Sequence, residues 1–183
     1  MEPVKISTEG FLDPIVAVGA FGVGSGMRVA DFGCGAGHIT VLVAQRAGPD
    51  GKVTALDIME DKLDSVRARA KAAGLDNIDT VRANLELTGS SGLSDGSQNI
   101  VILATILFQS QKKADIIKES ARVLKPDGKI ILVEWKKGTG SLGPPDELRT
   151  PETEMRELFR QAGFSNSRQF SAGRFHYGYI FTR

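Results

Sequence analysis

Three glycines within five residues, Gly33, Gly35 and Gly37, follow the run Val29-Ala30-Asp31-Phe32 and precede the helical pattern that begins at His38. Glycine lets a backbone turn sharply and approach a ligand closely, and the first N–H groups of the next helix remain free to donate. A strand, a glycine turn and a helix in that order open a βαβ unit, which directs the chain toward an α/β fold. The spacing also narrows the ligand. The dinucleotide fingerprint G-x-G-x-x-G needs glycine at position 38, occupied here by His38, and no Gly-Lys-Ser/Thr follows to make a P-loop. The observed G-x-G-x-G suits a nucleoside that carries no pyrophosphate.

The rest of the chain repeats the alternation. Strand patterns fall at 27–33, 52–58, 78–83, 99–106 and 129–135, and helical patterns at 37–47, 60–73, 112–124 and 151–162. The run 99–106, "NIVILATI", is almost wholly apolar, as a parallel strand covered on both faces should be. Pro49-Asp50-Gly51 and Pro126-Asp127-Gly128 read as turns, and 87–97 and 137–150 as glycine-rich loops. Pro151 is expected at the first helical position with Thr150 as its cap. The tail, 166–183, reads as two strands joined near Ala172-Gly173-Arg174. The expected architecture is a Rossmann-like three-layer sandwich, a mostly parallel seven-stranded sheet ending in an antiparallel hairpin.

At 183 residues, one domain is expected. The formal charge of +1 gives no global field to attract a polyanion, which counts against nucleic acid as a partner. One cysteine, Cys34, leaves no internal disulfide and no paired-cysteine metal spacing, so it reads as a small packing residue and no metal is expected. Met1-Glu2-Pro3-Val4-Lys5 lacks the basic start of an export signal, and the apolar segment 15–23 is too short to span a membrane. A soluble cytoplasmic domain is the expectation; oligomeric state is not legible.

A second anchor stands at the end of the second strand. Asp57 lies about 20 residues beyond Gly37, where Rossmann-type folds set a carboxylate against ribose hydroxyls. Two carboxylate oxygens match two vicinal hydroxyl donors.

With both anchors in place, the sequence resembles the class I S-adenosylmethionine-dependent methyltransferases, within them the type 11 group related to the ubiquinone/menaquinone C-methyltransferases. The blocks "VADFGCGAGHIT", "VTALDI", "DGSQNIVILATILFQ" and "RVLKPDGKIILVEW" carry the resemblance, in family order. It implies S-adenosyl-L-methionine as cofactor and S-adenosyl-L-homocysteine as product. By position, Asp31 would face the methionine ammonium, and Gly33, Gly35 and Gly37 would form the floor. His38 would pack near the methionine end. Asp57 would bind the ribose, Ile58 and Met59 would flank the adenine, and Asn84 with Leu85 would meet its edge. Thr105, where relatives carry a polar Asn, would close the set. Asn84 replaces a common Asp, and its amide oxygen can still accept. The resemblance divides the domain into an N-terminal arm over 1–26, a cofactor core over 27–135, and a lid loop, helix and hairpin over 136–183.

The activity so implied is methyl transfer to a small-molecule acceptor by in-line displacement, in which alignment and exclusion of water do most of the work. If the acceptor must lose a proton, His176 in "RFHYGY" and Glu134 at the end of strand five are the candidate catalytic residues. Trp135 reads as a packing residue. The loop "KKGTGSLGPPDELRT" is the expected lid, its Arg149 holding an anion or pairing with Glu152. The acceptor pocket would draw on the N-terminal arm, segment 107–110 and that loop, with Phe11, Phe21 and Phe108 as apolar lining. Two alternatives stand beside this reading. One is a cofactor-binding regulatory protein without turnover; the other is an RNA or ribosomal-protein methyltransferase using a patch of Lys136, Lys137, Arg149, Arg168 and Arg174.

Overall fold

A computed structural model describes residues 12–140 and 142–183. Seven strands, β1 (Arg28–Phe32), β2 (Lys52–Asp57), β3 (Ile78–Arg82), β4 (Gln98–Ala104), β5 (Leu124–Trp135), β6 (Asn166–Phe170) and β7 (His176–Thr182), form one sheet in the order β3-β2-β1-β4-β5-β7-β6. Pairings from β3 through β5 are parallel, and β7 runs antiparallel to both β5 and β6. The expected sandwich and terminal hairpin are present. No described helix is long and apolar enough to cross a membrane.

Alternation along the central strands decides what covers each face. From β4, Ile100 and Ile102 point to a core shared with Ala17, Val18 and Phe21 near α1 (Pro14–Ala20) and Val43 and Ala44 of α2 (His38–Ala47). Val101 and Leu103 point the other way, toward Ile116 and Ile117 of α4 (Lys113–Val123) and Met155 and Phe159 of α5 (Glu152–Gln161). Helix α3 (Glu60–Ala72) packs Leu63 and Val66 against Ala55 of β2 and Cys34. Phe159 stacks on Phe181 at 3.9 Å, which ties α5 to the hairpin. Strand β6 carries polar, exposed residues at the sheet edge, a composition that discourages further pairing.

Two local expectations need correcting. Pro126-Asp127-Gly128 is no separate turn: β5 begins at Leu124, which pairs with Gln98, and a register shift between Gln98 and Ile100 absorbs the irregularity. Pro151 is itself the N-cap of α5 and Thr150 makes no capping bond, so the expected cap is one residue too early. The loop 87–97 has an anchor that its composition concealed. Glu119, buried on α4, accepts from the Gly89 N–H at 2.8 Å and the Ser91 hydroxyl at 2.5 Å, and pairs with Arg122 at 2.7 Å.

Candidate functional site

The glycine turn is tied to the end of β2. Gly33 and Cys34 both donate their N–H to Leu56 O, at 2.8 and 3.0 Å, and Gly35 donates to Asp57 Oδ2 at 3.0 Å. Asp57 Oδ1 accepts from the Met59 N–H, also at 3.0 Å. One carboxylate therefore fixes both loops that follow β1 and β2, and each oxygen keeps a further lone pair. Above it opens a cleft of about 330 Å³ at the C-terminal edge of the sheet, within the roughly 300–1,000 Å³ usual for small-molecule sites. Gly33, Gly35, Asp57, Ile58, Met59, Asn84, Leu85 and Thr105 all border it.

These residues suit an adenosine. The free lone pairs of Asp57 can accept from a ribose diol. Ile58 and Met59 stand 56% and 50% exposed beside them, an apolar surface that a purine would cover. Gly35, at φ +51°, has nothing within 4 Å of where a side chain would begin, so the backbone lies open to a ligand. Asn84 Oδ1 accepts from the Glu86 N–H at 3.1 Å, which leaves its amide NH₂ and a second lone pair available.

Three residues expected at the cofactor are placed elsewhere. Gly37, at φ +81°, packs against α3: a Cβ there would lie 2.8 Å from Val66 Cγ2, so helix packing is what requires glycine. His38 is exposed on the outer side of α2, with Nε2 3.1 Å from Arg69 Nη2, and faces a different hollow. Asp31 shares the α2 face of β1 with Val29 and is buried beneath the loop, where it accepts from the Thr40 hydroxyl at 2.6 Å.

Burial raises the Asp31 pKa to about 6, against the lowering effect of the Thr40 hydrogen bond; the Asp57 charge adds to the rise. A carboxyl with a raised folded-state pKa contributes most to stability below its ordinary pKa of 3.8 and loses that contribution as pH climbs through 6. Asp31→Asn, still able to accept from Thr40, is therefore expected to stabilise the protein by about 2–3 kcal/mol at pH 8 relative to pH 4. Urea melts across that range check this; parallel pH profiles for the two proteins would contradict it.

Neither candidate catalytic residue borders the cleft. Glu134 follows Ile130 and Leu132 onto the α4–α5 face of β5 and is only 2% exposed. Its Oε1 accepts from the Leu107 N–H at 2.7 Å. Burial raises its pKa to about 7, opposed by the backbone N–H groups of Leu107, Trp135, Phe108 and Ile106. His176 pairs across the sheet with Trp135 and is buried against it, ring centroids 4.1 Å apart. Burial, with the charges of Arg149 and Lys136, lowers its pKa to about 4, so the imidazole is neutral at pH 7. Cys34 is buried, and desolvation holds its thiol well above the ordinary range, which makes it unreactive.

The loop after β5 is organised around Arg149, whose guanidinium lies 4.0 Å from the Asp146 carboxylate and makes no ion pair with Glu152. Its buried guanidinium donates to the carbonyls of Pro144, Lys136, Gly140 and Leu142 and to the Thr139 hydroxyl, at 2.5–3.2 Å. This removes Arg149 from the cationic patch that an RNA-binding reading would use, and Lys137 lies 3.9 Å from Asp146. Phe21 is core, edge-on to Phe170, and Phe108 is half-buried; Phe11 lies outside the described residues.

Sequence reasoning missed Lys62, Glu86 and Ile106, which also line the cleft, while Gln109 and Ser110 reach it from the 107–110 segment expected at the acceptor pocket. Glu86 Oε1 accepts from the Ser110 hydroxyl at 2.6 Å and so joins the loops after β3 and β4. No one-dimensional signal marks that pair, because it depends on how two loops meet.

Comparison with known proteins agrees with the fold and the cofactor class. The sequence profile of a family described as a methyltransferase domain matches residues 24–171. The demethylmenaquinone methyltransferase of Lactococcus lactis is 30% identical over 110 residues, covering 60% of this chain and 42% of that protein. The ubiquinone/menaquinone biosynthesis C-methyltransferase UbiE of Pseudomonas fluorescens is 32% identical over 127 residues, covering 69% and 48%. The chain thus spans a little under half the length of these curated relatives. A crystal structure of a SAM-dependent methyltransferase from Aquifex aeolicus superposes with a TM-score of 0.84 at 26% identity, covering 93% of this chain and 89% of that one.

Proposed function

We infer, because this chain belongs to the class I S-adenosylmethionine-dependent methyltransferases, that the cleft over Gly35 and Asp57 delivers a methyl group to a small aromatic acceptor of the quinol type. The observation that carries the cofactor assignment is Asp57, which fixes both neighbouring loops and still offers lone pairs to a diol. The acceptor class rests on the quinone-pathway methyltransferases among the relatives.

When bound, the cofactor supplies a methyl group on a cationic sulfur, which an aligned nucleophile displaces in line. The chain's own part is placement. Asp57 accepts from the ribose, Ile58 and Met59 cover the adenine, Asn84 and Leu85 meet its edge, and Gly33, Gly35, Thr105 and Ile106 wall the cleft. Holding two reactants in line supplies about 7–11 kcal/mol in favourable cases. Proton removal is not assigned to Glu134 or His176, since the first is engaged with backbone N–H groups and the second is stacked on Trp135. On this reading the quinol hydroxyl gives its proton to water before attack, and the ring carbon that gains the methyl group gives up its hydrogen to water afterwards, which restores the aromatic ring.

The test is transfer of tritium from S-adenosyl-[methyl-³H]methionine to short-tailed demethylmenaquinol, beside RNA and protein acceptors. Label in the organic phase is the expected result. Label on RNA or protein alone, or on nothing while the cofactor binds, would overturn the quinol assignment.

A further inference from the structure

Thr105 is the one non-glycine residue at positive φ among the described residues, at +52°. A β-branched residue in the left-handed region is a costly outlier that persists only where its surroundings enforce it. Here they do so from three sides. The Thr105 N–H donates to Val133 O at 2.8 Å, and its carbonyl accepts from Gln109 Nε2 at 3.1 Å. Two residues on, the Leu107 N–H donates to Glu134 Oε1 at 2.7 Å. The bend then carries Ile106 across to the glycine turn, where a Cβ on Gly33 would sit 2.5 Å from Ile106 Cδ1. Thr105, Ile106 and Gln109 all border the cleft; Glu134 does not.

We propose that Glu134 is a positioning residue: its carboxylate clamps the Thr105–Leu107 bend against β5 and so sets the wall of the cofactor cleft that meets Gly33. It acts through Thr105 and Ile106 and takes no proton from the acceptor. A carboxylate suits this task because it is acceptor-only when ionised and can serve several N–H groups together. An aliphatic side chain would leave the Leu107 N–H buried and unpaired, and the strained bend would lose its restraint. This inference rests on the cofactor reading above.

The test is calorimetric affinity for S-adenosylhomocysteine, with circular dichroism to confirm folding. Glu134→Ala is expected to weaken binding about tenfold or more, the effect of losing one charge-assisted hydrogen bond. Glu134→Gln, whose amide oxygen still reaches Leu107, should stay within about threefold of wild type. Glu134→Asp keeps the charge but withdraws it by one methylene, so it should bind more weakly than Glu134→Gln; it carries the test if the alanine variant does not fold. Glycine adopts a left-handed bend without penalty, so adding Thr105→Gly to Glu134→Ala or Glu134→Asp should restore part of the affinity. The proposal is overturned if the alanine or aspartate variant binds like wild type, if Glu134→Gln is the weaker of the two conservative changes, or if Thr105→Gly rescues neither. A wild-type protein that fails to bind S-adenosylhomocysteine would instead sink the cofactor reading itself.

Discussion

Asp57→Ala is expected to weaken S-adenosylhomocysteine binding by about 10²–10³-fold, the equivalent of two hydrogen bonds to a charged group. The magnitude follows from the double duty of this side chain. Its oxygens accept from Gly35 and Met59, so the substitution releases both loops as well as removing the acceptor for a ribose diol. Asp57→Asn should fall between, since one amide oxygen can still accept while the NH₂ group opposes one of the two backbone donors. Stability should change little, because Asp57 is half-buried at the end of its strand and water can reach the freed N–H groups. Calorimetry with thermal melts on both variants separates the two effects. An alanine variant that binds within a few fold of wild type would remove the anchor from the account.

The largest expected effect on stability comes from Arg149. Arg149→Met preserves the length and apolar stem of the side chain but strips the donors from four loop carbonyls and the Thr139 hydroxyl. Each buried acceptor left unpaired costs about 1–3 kcal/mol, and partial rehydration of an exposed loop returns some of that, for a net loss of about 3–5 kcal/mol. For a domain of this size the melting temperature should drop by roughly 10 °C. Arg149→Lys should recover little, since a single ammonium cannot span carbonyls spread around a planar fork. Differential scanning calorimetry checks this; a methionine variant that melts with wild type would mean the loop does not depend on its arginine. The same geometry alters the picture of the 136–150 loop. Arg149 also stands over the Trp135 ring at 5.7 Å, so the loop is fastened to the end of β5.

The architecture was readable because β4 and the second half of β5 are apolar runs and the breaks at 33–37, 48–51 and 74 are marked by glycine or proline. What failed locally failed for physical reasons. Pro126-Asp127-Gly128 carries every mark of a turn, yet the pairing of Leu124 with Gln98 across the sheet overrides it. Within the site, residues placed by backbone position alone were legible: Gly33, Gly35, Asp57 and Thr105 border the cleft because strand ends and turns lead them there. Residues whose contribution depends on side-chain direction were not. His38 and Gly37 lie one turn from the cleft but face α3 and its neighbourhood. The direction of Glu134 was in principle available from the alternation of Ile131 and Val133 against Ile130 and Leu132, which sends Glu134 to the α4–α5 face. The contacts of Arg149 with carbonyls have no sequence signature, since a carbonyl acceptor is present at every position.

The central claim is that the turn after β1 and the carboxylate after β2 hold an adenosine that carries no pyrophosphate. Paired calorimetric titrations of the wild-type protein with S-adenosylhomocysteine and with NAD test it most directly. The account predicts one S-adenosylhomocysteine bound per chain and no measurable heat from NAD at the same concentrations. Tighter binding of NAD, or no binding of S-adenosylhomocysteine by folded protein, would contradict it.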